Sequence, residues 1–107
     1  MNEPNDAQRK KIAGYLGIAQ RAGRIAAGDN IVKDALGKNK AELLVVADDA
    51  SSKVKDELNR LAEDKGVDIL NWPDKINLGL IVGKSRRGAV AVLDKGFAEA
   101  IKKVMEF

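Results

Sequence analysis

Two uninterrupted apolar runs, Leu43-Leu44-Val45-Val46-Ala47 and Ala89-Val90-Ala91-Val92-Leu93, constrain this chain more than any other feature. A run without alternation has no side to give to water, so each reads as a central strand covered on both faces. Such strands need helices above and below, and the rest of the sequence offers them. Asp6 to Arg21 carries Ile12, Leu16 and Ala19 at i, i+4 and i+7, the inner stripe of a first helix that Gly23 ends. Arg24-Ile25-Ala26-Ala27 is a short strand candidate. A second helix starts near Gly28-Asp29-Asn30, buries Ile31, Val32, Ala35 and Leu36, and stops at Gly37 and Asn39. The turn from Asp48 to Ser52 supplies the N-cap of a third helix, which repeats Val54, Leu58 and Leu61 and closes at Lys65-Gly66. Val67-Asp68-Ile69-Leu70 follows as a strand. Pro73 suits the first turn of a short fourth helix ending near Gly83, and a last helix turns Phe97, Ile101 and Val104 inward.

Strands alternating with helices predict an α/β chain. The expected form is a three-layer α/β/α sandwich around a small mixed central sheet of about four strands, with about five helices. At 107 residues there is room for one domain and one modest core. Residues 1–107 read as that domain, with 1–6 flexible.

Composition removes several kinds of chemistry. There are no cysteines, which excludes disulfides and thiolate metal sites. There are no histidines, which removes the usual general base at neutral pH and the commonest zinc ligand. No Walker-type loop or dinucleotide fingerprint is present. The paired acids Asp48-Asp49 and Asp56-Glu57 fall at a turn and on an outer helix face, where they read as structural. The chain is therefore expected to be no enzyme, with no metal and no cofactor. No apolar run reaches the length of a bilayer span, and the polar, acidic stretch Met1 to Asp6 does not read as a signal peptide. A cytoplasmic protein away from membranes is the expectation.

Charge is uneven along the chain. Residues 1–40 hold eight Lys/Arg against four Asp/Glu, residues 41–83 five against nine, and residues 84–107 six against three. A basic surface built from the two ends, with the acidic middle facing elsewhere, would suit a polyanion. The same counts also fit an unevenly charged solvated surface.

Two stretches stand out against that background. In Ala27-Gly28-Asp29-Asn30 a strand turns into a helix through glycine, which brings free N–H groups to the positive end of a helix dipole. Asn30 adds an amide able to read RNA; alternatively Asp29 or Asn30 merely caps the helix. Lys84-Ser85-Arg86-Arg87-Gly88 sets three cations and a hydroxyl in a loop before a buried strand, where phosphates can be engaged without sequence being read. Arg21 and Arg24 flank Gly23, either complementing a helix C-terminus or touching RNA. Gly14-Tyr15-Leu16-Gly17 lies inside a helical pattern and reads as helix packing. The aromatics Tyr15, Trp72, Phe97 and Phe107 fall on none of the expected strands, which argues against a base-stacking sheet.

The ordered blocks Leu16-Gly17-Ile18-Ala19-Gln20-Arg21-Ala22-Gly23-Arg24, then Gly28, then Leu43 to Asp49, then Asp94-Lys95-Gly96-Phe97 resemble the L-seven-Ae/L-thirty-e ribosomal protein family. The similarity is greatest to its small bacterial YlxQ-like branch and runs from roughly Lys11 to Ile101. It implies a three-layer α/β/α sandwich, RNA binding, often to kink-turn or related bent RNA, and association with ribosomes or other ribonucleoproteins. The family signature at the second helix start is Gly-x-Asn-Glu-x-x-Lys. Gly28 and Asn30 match it, while Ile31 stands at the glutamate position and Asp34 at the lysine position. Lys33 is next door but turned by about 100° around the helix. The loop before the last strand, short and partly apolar in kink-turn binders, is here strongly basic, which points to electrostatic contact more than to fitting one bend.

These readings converge on a monomeric RNA-binding protein whose partner is rRNA or another structured RNA, with the ribosome or translation and transcription factors nearby. The expected contacts are Gly28, Asn30 and Lys33 at the helix start and Lys84, Arg86 and Arg87 in the facing loop, with Arg21 and Arg24 second. The alternative is a protein-interaction module that keeps the fold without kink-turn recognition, using an exposed Ile31.

Overall fold

The computed structural model describes residues 2–107. Along them run α1 (Asp6–Arg21), β1 (Ile25–Ala27), α2 (Asp29–Gly37), β2 (Leu43–Ala47), α3 (Ser52–Lys65), β3 (Ile69–Trp72), α4 (Lys75–Ile81), β4 (Ala89–Val92) and α5 (Lys95–Met105). The sheet order is β1-β4-β2-β3. Strand β4 is antiparallel to both of its neighbours, and β2 is parallel to β3. The two continuous apolar runs are thus the two central strands, and every residue of both is buried.

Side chains alternate across a strand, so each central strand feeds both layers. Leu43, Val45, Ala47, Val90 and Val92 join Ile12, Leu16, Leu78, Val82 and Ile101 on the side of α1, α4 and α5. Leu44, Val46, Ala89 and Ala91 join Val32, Leu36, Leu58 and Ala62 on the side of α2 and α3. This is the expected α/β/α sandwich.

Four sequence readings need correction. Strand β3 begins two residues later than expected, because Gly66 ends α3 in a left-handed conformation. Gly66 N–H bonds Glu63 O and Val67 N–H bonds Ala62 O, so Val67 belongs to the helix stop. The later strand carries Trp72, an aromatic that the sequence pattern places off the sheet. Trp72 is buried in the core and its Nε1 donates to Asn77 Oδ1 at 2.9 Å, so it presents no face for stacking. Ile31, expected inside, is 60% exposed, because Val32, Ala35 and Leu36 already fill the inner face of α2. In the Gly14–Gly17 pair only Gly17 faces a neighbour, the Ile81 carbonyl of α4; Gly14 faces open space.

Of the segment expected to be flexible, Met1 lies outside the described residues. Asn2 O accepts from Asn71 N–H and Asn2 Nδ2 donates to Ile69 O, both at 2.8 Å, along the outer edge of β3. Asn5 caps α1 in a reciprocal pair with Gln8.

Candidate nucleic-acid interface

Strand pairing puts the two singled-out stretches side by side. β1 runs antiparallel to β4 with Ala27 opposite Val90, and Gly28 N–H donates to Ala89 O at 3.0 Å. The turn leaving β1 and the loop entering β4 therefore share one end of the sheet. The loop also folds back onto α4: Lys84 N–H bonds Gly79 O and Arg87 N–H bonds Lys75 O, both at 2.9 Å. Between the two lies an open cleft of about 400 Å³, walled by Ala27 to Ile31 on one side and Arg86 to Gly88 on the other.

The helix wall ends in unpaired donors. Helices α1, α3, α4 and α5 are capped by the side chains of Asn5, Ser51, Asp74 and Asp94. Helix α2 begins instead on Gly28, at φ 113 and ψ 149, with no side-chain cap. Neither Asp29 nor Asn30 serves as the cap that the sequence allows. The first α2 amide with a partner is Val32 N–H, which bonds Gly28 O at 2.9 Å. Among the described residues no protein group accepts from the N–H groups of Asp29, Asn30 and Ile31. Three such donors sit at the positive end of the dipole, worth roughly half a unit charge there.

The loop wall supplies full charges. Arg87 Nη1 donates to Ser85 Oγ and to Arg86 O, each at 3.0 Å, which holds its guanidinium in place. The Arg87 stem crosses Gly28, with Nε 3.9 Å from the position a Cβ on Gly28 would take. The Arg86 side chain is exposed, and it makes no hydrogen bond or ion pair with another described residue. One negative group is present, Asp29, whose Oδ1 lies against Gly88 at 3.4 Å from its would-be Cβ. Asn30 is exposed on the wall, and Ile31 forms an apolar rim.

Not every expected residue gathers here. Lys84 is exposed just outside the cleft. Lys33 lies farther along α2, its Nζ 3.9 Å from Glu57 of α3. An exposed pair of that kind is worth about 0–1 kcal/mol, so it does not lock the lysine. Asp34 is paired with Lys38 at 3.2 Å. Arg21 and Arg24 sit at the other end of β1; Arg24 and Gly28 are four residues apart, roughly 13 Å at the rise of a strand. The structure does not bring these two arginines to the cleft. Conversely, charge and motif reasoning passes over Gly79, whose carbonyl anchors the basic loop. Its one signal is a glycine inside a helix of seven residues.

Among the described residues no helix is long and apolar enough to cross a membrane, and no group of His, Cys, Asp and Glu could hold a metal ion. Residues 10–102 match the ribosomal protein L7Ae/L30e/S12e/Gadd45 family. The chain is 26% identical over 102 residues to the RNA-binding protein YlxQ of Enterococcus faecium, covering 95% of this chain and 98% of that protein. It is 31% identical over 101 residues to large ribosomal subunit protein eL8 of Thermoplasma volcanium, covering 94% of this chain and 83% of that one. A solved structure from Bacillus halodurans, of a protein of unknown function, shares the fold with a TM-score of 0.85. It covers 91% of this chain and 98% of its own at 24% identity.

Proposed function

The chain belongs to the ribosomal protein L7Ae/L30e/S12e/Gadd45 family, and on that premise we propose that it binds structured RNA in the cleft between α2 and the Lys84–Gly88 loop. The observation that carries this reading is the uncapped start of α2 directly facing Arg86 and Arg87. Free amides at a helix start donate to a phosphate oxygen, and a guanidinium across the cleft adds charge-assisted bonds to the same or the next phosphate. Asn30, with both donor and acceptor atoms exposed, reads the edge of a nearby base. Gly28, Asn30, Arg86 and Arg87 form the centre of the footprint, and Lys33 and Lys84 flank it. Arg21 and Arg24 lie outside it, touched only by RNA that extends along β1 to the far end of the sheet.

The departures from the family signature fit this electrostatic mode. Ile31 removes a carboxylate from the rim, and the Asp34 charge is offset by Lys38. The relatives support the assignment by what they are called, one an RNA-binding protein and one a protein of the large ribosomal subunit. The chain acts without catalysis, as a cytoplasmic monomer associated with the ribosome or another ribonucleoprotein.

Crosslinking in cells followed by sequencing of the bound RNA tests this. The wild-type chain should enrich a defined set of structured RNA, and Arg86→Glu/Arg87→Glu should lose it. Recovery of the same RNA by the double variant would refute the cleft as the binding site.

A further inference from the structure

We infer that Gly79, which touches no ligand in this scheme, is the residue that sets the stance of the RNA-binding loop. The inference rests on the proposed RNA contact of Arg86 and Arg87 and adds what makes that contact possible. Gly79 lies within α4 and is buried. Its backbone is helical, so glycine is not needed there for conformation, and alanine is the better helix former. What glycine supplies is space. A Cβ at this position would run into the Ser85 carbonyl, with the Ser85 carbon at 2.6 Å and Arg86 Cα at 3.0 Å. Contacts below 3.0 Å are essentially never seen for real Cβ atoms, and the obstacle here is backbone, which cannot rotate out of the way as a side chain would.

The loop is therefore laid directly on the bare face of α4. Gly79 O accepts from Lys84 N–H at 2.9 Å while Gly79 Cα makes room for Ser85, the next residue. Ser85 in turn accepts from Arg87 through its hydroxyl, and Arg87 N–H returns to Lys75 O one turn earlier on α4. Gly79 thus stands at the base of a short chain of contacts that ends on the two arginines of the cleft. It is a positioning residue. The loop arrives pre-shaped, and binding avoids the ordering cost that a free five-residue loop would carry.

Gly79→Ala tests this against Gly14→Ala, which adds the same methyl to a helix glycine facing open space. The probe is an RNA hairpin with an internal loop, titrated at several salt concentrations, with thermal unfolding measured alongside. Gly79→Ala should stay folded, lose about tenfold in affinity, and show a salt slope shallower by about one phosphate contact. Gly14→Ala should bind as wild type does. In an Arg86→Ala/Arg87→Ala background, Gly79→Ala should cost nothing further, because it acts only through the loop. A folded Gly79→Ala chain with wild-type affinity and slope, or an additive loss in the double background, overturns the inference. If Gly79→Ala does not fold, Ser85→Gly decides: it removes the hydroxyl bond by which the anchored loop holds Arg87, leaving the bond to Arg86 O and α4 untouched, so weaker binding supports the inference and unchanged binding overturns it. If the wild-type chain does not bind the hairpin or any structured RNA, the RNA reading itself fails and takes this inference with it.

Discussion

The Arg87 side chain lies across Gly28, its Nε 3.9 Å and its Cδ 4.0 Å from the position a Cβ on that glycine would take. The two walls of the cleft meet at this crossing. The gap admits a methyl in ordinary contact, so the demand for glycine comes from the backbone. At φ 113 and ψ 149 an L side chain is strained.

Gly28→Ala should therefore destabilise the fold by about 1–3 kcal/mol, measured by denaturant unfolding, with the loss arising at the β1–α2 turn. An unchanged midpoint would show that the turn relaxes freely, and the pre-set geometry of the amides would no longer hold.

Ile31 offers a substitution whose two effects have opposite signs. Placing a carboxylate in the first turn of α2 complements the dipole, so Ile31→Glu should stabilise the fold slightly, by about 0.3–1 kcal/mol. The same charge at the rim of a phosphate-binding cleft should weaken RNA binding. Tighter RNA binding by Ile31→Glu would mean that the cleft reads a donor on a base at this position and that phosphate contact is secondary.

Much of this was legible in the residues themselves. The apolar runs at Leu43 and Ala89 specify central strands because nothing in them alternates, and the 3.6-residue spacing of Ile12, Leu16 and Ala19 specifies the buried face of α1. The unpatterned parts were harder. The pattern at Val67 fits a strand, but the Gly66 helix stop claims its N–H first. The apolar stretch at the start of α2 suggests burial of Ile31, but Val32, Ala35 and Leu36 take the inner face and leave Ile31 outside. In the site, the pairing of Gly28 with the basic loop depends on β1 lying next to β4, a long-range choice that local sequence does not encode. Arg21 and Arg24, near Gly28 in sequence, end up at the far end of the sheet because β1 runs extended between them and Gly28. Gly79 carries no charge, and its role exists only where the loop returns over α4.

Outside the cleft, the Glu3 carboxyl should titrate above its ordinary value of 4.5. It shares a hydrogen bond with the carboxyl of Asp48 and is repelled by the Asp48 charge, with Arg9 opposing. Because the folded value is the raised one, the folded chain holds this proton more tightly. The contribution to stability is present below the unfolded value and is lost as pH rises through the folded one. Side-chain NMR titration should show a raised Glu3 midpoint that returns toward 4.5 in Asp48→Asn. A Glu3 midpoint at or below that value in the wild-type chain would contradict the pairing.

The central claim, that the cleft holds RNA by its phosphates, is tested most directly by the salt dependence of binding. For the wild-type chain and a structured RNA, log affinity against log salt should fall with a slope of about −2 or steeper. Arg86→Ala/Arg87→Ala should make that slope shallower by about 2 while leaving thermal unfolding unchanged. A slope near zero, or one that the double substitution leaves untouched, would contradict the account.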